Sequence, residues 1–83
     1  MVHKLKTWPE YFLLMEKGEK NFELRKNDRG FKAGHKLILE EYDPLTKSYT
    51  GQILHKKISY VLQGTCGETF GLKAGYCVLA LQD

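Results

Sequence analysis

The sequence predicts a small mixed α+β fold that is mainly β, with one helix near the N-terminus. Three observations support it: an apolar stripe at helical spacing, several short runs rich in branched and aromatic residues, and glycine- or proline-containing turns between those runs. This pattern is typical of a small β-barrel with an added helix, although an open α+β sheet fits it as well. The 83 residues are expected to form one domain, residues 1–83, because a chain of this length supports a single core.

The predicted helix covers residues 8–17. Thr7 and Glu10 have the T-x-x-E spacing of a capping box, and Pro9 lies in the first turn, where its missing N–H costs nothing. Gly18 follows at the position of a left-handed C-cap. Apolar residues recur at i, i+3, i+4 and i+7, namely Trp8, Tyr11, Phe12 and Met15. We expect Tyr11, Phe12 and Met15 to pack in the core, and Trp8 to lie at the mouth of the helix.

Strands are predicted at residues 20–27, 37–42, 49–62 and 76–81. The second and third form a hairpin, and residues 63–75, which hold four of the eight glycines, are predicted to be a loop. The predicted strand residues of the core are Phe22, Leu24, Leu37, Leu39, Ile58, Leu62, Val78 and Leu79. Leu54 and Tyr60 share the parity of Ile58 and Leu62, so they are expected on the same inner face.

The segment Gly18–Arg25, with the sequence GEKNFELR, is the most informative part of the chain. Phe22 and Leu24 alternate with Glu23 and Arg25, as in a strand with one apolar and one polar face. A carboxylate and a guanidinium therefore share one face, and the Lys20 ammonium arrives from the preceding turn.

This octet resembles the G-x-K-x-x-E-x-R signature of the ASCH domains, the activating-signal-cointegrator homology branch of the PUA-like superfamily. The segments Lys6–Phe12 and Phe70–Tyr76 resemble the opening and closing segments of the same family, so the resemblance covers nearly the whole chain. Within this family, the chain resembles the small stand-alone members of bacterial or phage type. The resemblance implies a PUA-like pseudo-β-barrel with a cleft, between barrel and helix, that binds RNA or a nucleotide-like ligand.

The resemblance also implies which residues line that cleft. Arg25 presents a rigid fork to a phosphate or a base edge, Lys20 provides a point charge, and Glu23 accepts hydrogen bonds and orients the two cations. Trp8 is suited to stack on a base, and lysines at the rim are suited to neutralise phosphates. The predicted rim residues are Lys6, Trp8 and Lys26.

The charge distribution agrees with a polyanion-binding face in the first half of the chain. Residues 1–36 hold nine Lys or Arg against five Asp or Glu, whereas residues 37–83 hold four against five. The net charge of +3 therefore arises from the half that contains the octet. Lys26, Arg29 and Lys32 are expected to line the approach to the cleft. A plain solvated surface accounts for the same distribution.

Alternative functions remain open at this point. The first alternative is an enzyme, because related ASCH-like amidohydrolases remove the acetyl group of N4-acetylcytidine with a threonine nucleophile. Glu23 occupies the position of that threonine and lacks its hydroxyl group. If this chain were an enzyme, Lys20 and Glu23 would be the catalytic pair. A protein-interaction module is the second alternative, with Leu13, Leu14 and Tyr49 as its apolar patch. Glu23 and Arg25 also suit a plain structural ion pair without any ligand.

The composition narrows the remaining classes. The histidines are scattered, so no metal site is predicted, and no cofactor is expected. Cys66 and Cys77 are expected to be reduced, with Cys77 in the core of the last strand. No apolar run approaches the ~20 residues that cross a bilayer, and the first residues lack a secretory signal pattern, so we expect a cytoplasmic protein without membrane contact.

Overall fold

The computed structural model describes the backbone of residues 1–83 and the side chains of residues 1–64 and 68–83; Cys66 falls outside the latter. Its elements follow the order β, α, β, β, β, α, β. They are β1 (Val2–Thr7), α1 (Pro9–Glu16), β2 (Phe22–Lys26), β3 (Lys36–Asp43), β4 (Ser48–Leu62), α2 (Gly64–Thr69) and β5 (Tyr76–Gln82). The helix, the hairpin and the four strands expected from the sequence are all present.

The strands form one five-stranded sheet with the order β1-β3-β4-β5-β2. β1 runs parallel to β3, and the other neighbours are antiparallel. The sheet curls into a half-barrel, which confirms the small, mainly β pseudo-barrel with one N-terminal helix. β1 and β2 are its two edges, and arginine side chains from β2 and the following loop bond to backbone carbonyls of β1. The curl therefore brings the two edges to either side of one opening.

The core lies inside the curl, under α1. Only part of the predicted core is fully buried, and Phe31 joins it from the loop before β3. The predicted residues found buried are Phe12, Met15, Leu37, Leu39, Ile58 and Leu79. Leu62 and Val78 are only half-buried. Cys77 is fully buried, as expected for a cysteine acting as a small hydrophobe.

The predicted orientation of β2 is wrong. Phe22 and Leu24 are exposed, whereas Glu23 is buried and Arg25 is half-buried. The polar face of this strand therefore points inward. It does so because Glu23 forms ion pairs with cations on both sides, and burial of a carboxylate is tolerated when it is fully paired. Trp8, expected at the mouth of the helix, is half exposed.

The residues of β4 that face the core switch from even-numbered to odd-numbered positions at a bulge. The pairing of β4 with β5 shifts register between Ile58 and Tyr60, so the residue between them is the extra one. Tyr60, predicted to be inside, is exposed as a result, and Val61 packs against the core instead. Leu54, which precedes the bulge, packs against the core as predicted.

Two local features near the ends were not predicted. Residues 2–7 form β1, although the charged Lys4 and Lys6 interrupt its apolar residues. Thr7 belongs to this strand, so the predicted capping box is wrong. Trp8 occupies the N-cap position of α1 and makes no side-chain hydrogen bond there. The buried Thr7 hydroxyl has no hydrogen-bond partner among the described residues. The predicted loop at 63–75 contains the short helix α2.

Candidate functional site

A cavity of about 500 Å³ opens between the two sheet edges, beside the start of α1. β1 and the first turn of α1 form one wall, and β2 forms the other. The lining residues are Lys6, Thr7, Trp8, Tyr11, Lys20, Phe22, Glu23, Leu24, Arg25, Lys26 and Tyr76. All six residues that the sequence predicts for a ligand site (Lys6, Trp8, Lys20, Glu23, Arg25 and Lys26) line this one cavity.

The charged triad, defined as Lys20, Glu23 and Arg25, forms a continuous ion-paired unit. Lys20 Nζ lies 3.2 Å from Glu23 Oε1, and Arg25 Nε donates to Glu23 Oε2 at 2.9 Å. The Glu23 side chain is only 9% exposed, so both carboxylate oxygens are bonded to a cation within a largely water-excluded environment. This geometry holds the two cations in fixed positions at the cavity wall.

The end of α1 places Lys20. Gly18 adopts a φ of +79°, the left-handed conformation that its sequence position predicts for a helix C-cap. The N–H groups of Glu19 and Lys20 then both bond to the carbonyl of Leu14, at 2.9 and 3.1 Å. The chain is thereby turned toward β2, and Lys20 Nζ donates a second bond, of 2.9 Å, to the Phe22 carbonyl.

Arg25 connects the two edges of the sheet. Its Nη2 donates to the carbonyl of Lys6 on β1. Arg29, in the loop after β2, makes an equivalent bond of 2.6 Å to the carbonyl of Lys4. Of the five N–H donors of the Arg25 guanidinium, three have no partner among the described side chains and backbone groups. These donors remain available to an anion in the cavity.

Aromatic side chains form the opposite side of the cavity. The rings of Trp8 and Tyr11 are stacked, with centroids 6.4 Å apart and an interplanar angle of 20°, and both residues are roughly half exposed. Lys20 Nζ lies 5.4 Å from the Tyr11 ring centroid. The prediction of Tyr11 as a core residue is wrong. Its i, i+3 spacing from Trp8, the N-cap residue of α1, is the signal that places both rings on one face.

The predicted rim lysines differ in what they contribute. Lys26 is exposed at the cavity wall. Lys6 lines the cavity and provides the carbonyl that Arg25 binds, but its ammonium lies 4.5 Å from the centroid of the Tyr42 ring. Arg29 and Lys32, expected to line the approach, are not among the lining residues. The four cations and one carboxylate that line the cavity give it a formal charge of +3.

Elsewhere the sheet carries a second, smaller cavity of about 320 Å³. It is lined by Lys36, Leu37, His55, Lys56, Lys57 and Asp83. Lys56 Nζ lies 2.6 Å from the Asp83 carboxylate, whose side chain is 93% exposed. We refer to Lys36, Lys56 and Lys57 as the sheet lysines.

Other titratable groups lie apart from both cavities. His3 Nε2 and His35 Nδ1 are 3.0 Å apart where β1 meets the start of β3, and burial, reinforced by His35, lowers the pKa of His3. Burial raises the pKa of the Cys77 thiol, which disfavours the reactive thiolate. Among the side chains that the structure describes, no three His, Cys, Asp or Glu residues come together in a group that could hold a metal ion. No helix within the described residues has the length and apolar character needed to span a bilayer.

Comparison with known proteins gives a family assignment. The family model described as "Domain of unknown function (DUF3850)" matches residues 2–81. The chain is also similar to the "Uncharacterized 12.9 kDa protein in GpA 3'region" of Escherichia phage P2, with 35% identity over 60 residues. That alignment covers 72% of this chain and 53% of the phage protein, so the chain spans about half the length of this relative. With nearly its full length matched by the family model, the chain belongs to the DUF3850 family.

Proposed function

We propose that this chain is an ASCH-type, PUA-like domain whose cavity binds RNA or a nucleotide-like ligand. The observation that carries the proposal is that the charged triad and the stacked Trp8–Tyr11 pair line the same cavity. A nucleotide presents both a negatively charged phosphate and a flat base. A site for it therefore needs fixed cations beside an aromatic surface, and this cavity has both.

The size and charge of the cavity suit such a ligand. Its volume of about 500 Å³ lies within the range of small-molecule sites, ~300–1,000 Å³. The unused N–H donors of Arg25 match the oxygens of a phosphate, and the Lys20 ammonium adds a point charge on the same wall. Trp8 and Tyr11 expose part of their rings, so a base is able to stack at the cavity mouth.

Glu23 orients the cations in this proposal. It accepts one bond from each cation, and the carbonyls of Phe22 and Lys6 accept one more from Lys20 and Arg25 respectively, so that both cations are held in place before the ligand arrives and keep their remaining donors for it. Such preorganisation lowers the entropic cost of binding, because two long side chains do not have to be immobilised by the ligand itself.

The test is a titration of short fluorescently labelled RNAs at two salt concentrations. Arg25→Ala is expected to weaken binding by about 1–3 kcal/mol, roughly fivefold to 150-fold, because it removes the guanidinium fork from the cavity. Lys32→Ala is the matched control: Lys32 is exposed and does not line the cavity, so its loss should change affinity only slightly.

Two results would contradict the proposal. Absence of binding at low salt, or equal binding by wild type and Arg25→Ala, would leave the triad as a structural ion pair, and an interaction module would become the leading alternative. Turnover of N4-acetylcytidine that disappears in Lys20→Ala would instead support the amidohydrolase alternative.

A further inference from the structure

The edge of β2 that faces the cavity carries unpaired backbone groups. The carbonyl of Asn21 accepts a bond of 2.8 Å from Leu81, and the N–H of Asn27 donates one of 2.8 Å to Gly75. N–H and C=O groups of one strand residue point to the same side, and this side alternates along the strand. The odd-numbered residues of β2 therefore bond to β5, and the even-numbered residues direct their N–H and C=O groups away from the sheet.

Leu24 is the residue at which both of these outward groups are free. The carbonyl of Phe22 accepts the Lys20 ammonium, and the carbonyl of Lys26 accepts the N–H of Asp28 at 3.0 Å. Among the described residues, none bonds to the outward N–H or C=O of Leu24. Leu24 lines the cavity between the two residues of the triad that flank it in sequence. An unpaired edge of this kind is usually covered in a native protein, and the carbonyls of the facing β1 edge are indeed bonded to arginines.

A backbone N–H next to a C=O has the same donor and acceptor arrangement as the pairing edge of a nucleobase. Each of the four RNA bases presents a donor beside an acceptor on its Watson–Crick edge. Resting on the function proposed above, we infer that the N–H and C=O of Leu24 pair with the Watson–Crick edge of a bound base, while the triad holds its phosphate.

This inference defines the class of ligand. Because a single donor–acceptor pair fits all four bases, the site recognises that a base is unpaired, and not which base it is. The ligand is therefore a single-stranded RNA or a free nucleotide whose pairing edge is unmodified. Double-stranded RNA is excluded from the site, since its pairing edges are already occupied.

Three small probes test it by calorimetric titration: uridine 5′-monophosphate, N3-methyluridine 5′-monophosphate and ribose 5-phosphate. The methyl group blocks the pairing edge and leaves the phosphate and the ring face intact. We expect uridine monophosphate to bind roughly tenfold to a hundredfold more tightly than its N3-methyl derivative, the discrimination typical of a two-point hydrogen-bond pair. Ribose 5-phosphate should bind weakly, through the triad alone.

A proline substitution tests the backbone donor itself. The N–H that Leu24→Pro removes points away from β5, and edge strands tolerate proline at such a position. The substitution should abolish the preference for uridine monophosphate over the N3-methyl derivative, a ratio of affinities that does not depend on how tightly the variant holds the phosphate. Leu24→Ala keeps the N–H and should retain the preference. If the proline variant does not fold, the wild type provides the same information: the amide resonance of Leu24 should shift, and its hydrogen exchange should slow, with uridine monophosphate but not with ribose 5-phosphate.

The outcomes separate this inference from the proposed function. Equal affinity for uridine monophosphate and its N3-methyl derivative, with the Leu24 amide unaffected, would overturn the pairing by Leu24 and leave phosphate binding by the triad intact. If none of the three probes binds, the proposed function fails, and the inference fails with it.

Discussion

The two cationic regions of this domain differ in how their charges are held. In the larger cavity, Lys20 and Arg25 share one largely buried carboxylate, and stacked rings lie beside them. In the smaller cavity, the lysines project from neighbouring strands, and Lys36 lies directly opposite Lys57 with no carboxylate between them. The first arrangement holds its cations in place through a shared carboxylate, whereas in the second the like charges of Lys36 and Lys57 repel each other across the ladder.

This difference shows why positive charge alone does not define a site. Among the described residues that line the smaller cavity, the acidic partner is Asp83, whose side chain is almost fully exposed although that of Lys56 is not, and a fully hydrated carboxylate is screened by water and salt. The sheet lysines are therefore expected to attract anions weakly and without orientation. The triad is expected to provide the geometry on which recognition depends.

The largest predicted effect comes from removing the shared carboxylate. Glu23→Gln keeps the shape of the side chain but removes the acceptor charge from two bonds of a largely buried group. We expect the free energy of unfolding to fall by about 1–3 kcal/mol, measured by urea denaturation. Affinity for uridine monophosphate should also fall, although the cavity becomes more positive, because the cations lose their fixed positions.

Asp83→Asn is the matched control in the smaller cavity. It removes the carboxylate from an ion pair of similar length, but one at the surface, so the urea midpoint should stay unchanged within error. A gain in nucleotide affinity in Glu23→Gln at unchanged stability would contradict the comparison, since it would mean that Glu23 only repels the phosphate.

A smaller effect on the free energy of unfolding is expected at low pH. It arises at β1, the strand that forms one wall of the larger cavity. β1 is joined to the start of β3 by the His3–His35 pair, and the pKa of His3 is lowered by burial, by His35, by Arg29 and by the N-terminal amino group. Below the ordinary histidine value of 6.5, the unfolded chain therefore binds a proton at this residue more readily than the folded chain does. The free energy of unfolding should decrease as the pH falls through this range.

Thermal unfolding at a series of pH values checks this prediction. His3→Gln should flatten the decrease of the melting temperature below pH 6.5, whereas the exposed His55→Gln serves as the control and should retain it. A pH dependence that is the same in all three proteins would show that the His3–His35 pair does not couple β1 to protonation.

Much of the fold follows from local sequence signals, and the exceptions have physical causes. The helix and the β3–β4 hairpin were predictable because apolar periodicity and turn residues act locally. The face of β2 was not, because the alternation of Phe22 and Leu24 with Glu23 and Arg25 allows either pair to face the core. Its orientation is decided by partners distant in sequence, including the Lys6 carbonyl that Arg25 binds. The bulge between Ile58 and Tyr60 likewise depends on pairing with β5 and leaves no local signal.

The candidate site also combines residues that the sequence predicts with features that it does not. Its charged residues were predictable as a group, since Lys20, Glu23 and Arg25 lie within six positions of each other. Tyr11 was missed because an aromatic residue at helical spacing normally belongs to the core. The unpaired edge at Leu24 was beyond sequence analysis altogether, because it is a property of the strand order and of no side chain.

The smallest predicted effect concerns the sheet lysines. Lys57→Glu replaces a like-charge pair with an opposite-charge pair across the β3–β4 ladder, so the free energy of unfolding should rise by roughly 0.2–1 kcal/mol. Because this region is not the proposed ligand site, binding of uridine monophosphate at the triad should remain within twofold of wild type, apart from a slightly shallower salt dependence from the lower net charge. Lys47→Glu, in the β3–β4 turn, makes the same charge change away from Lys36 and should leave stability nearly unchanged. If Lys57→Glu abolished nucleotide binding while Lys47→Glu did not, the sheet lysines would belong to the ligand site, and the contrast between the two cationic regions would fail.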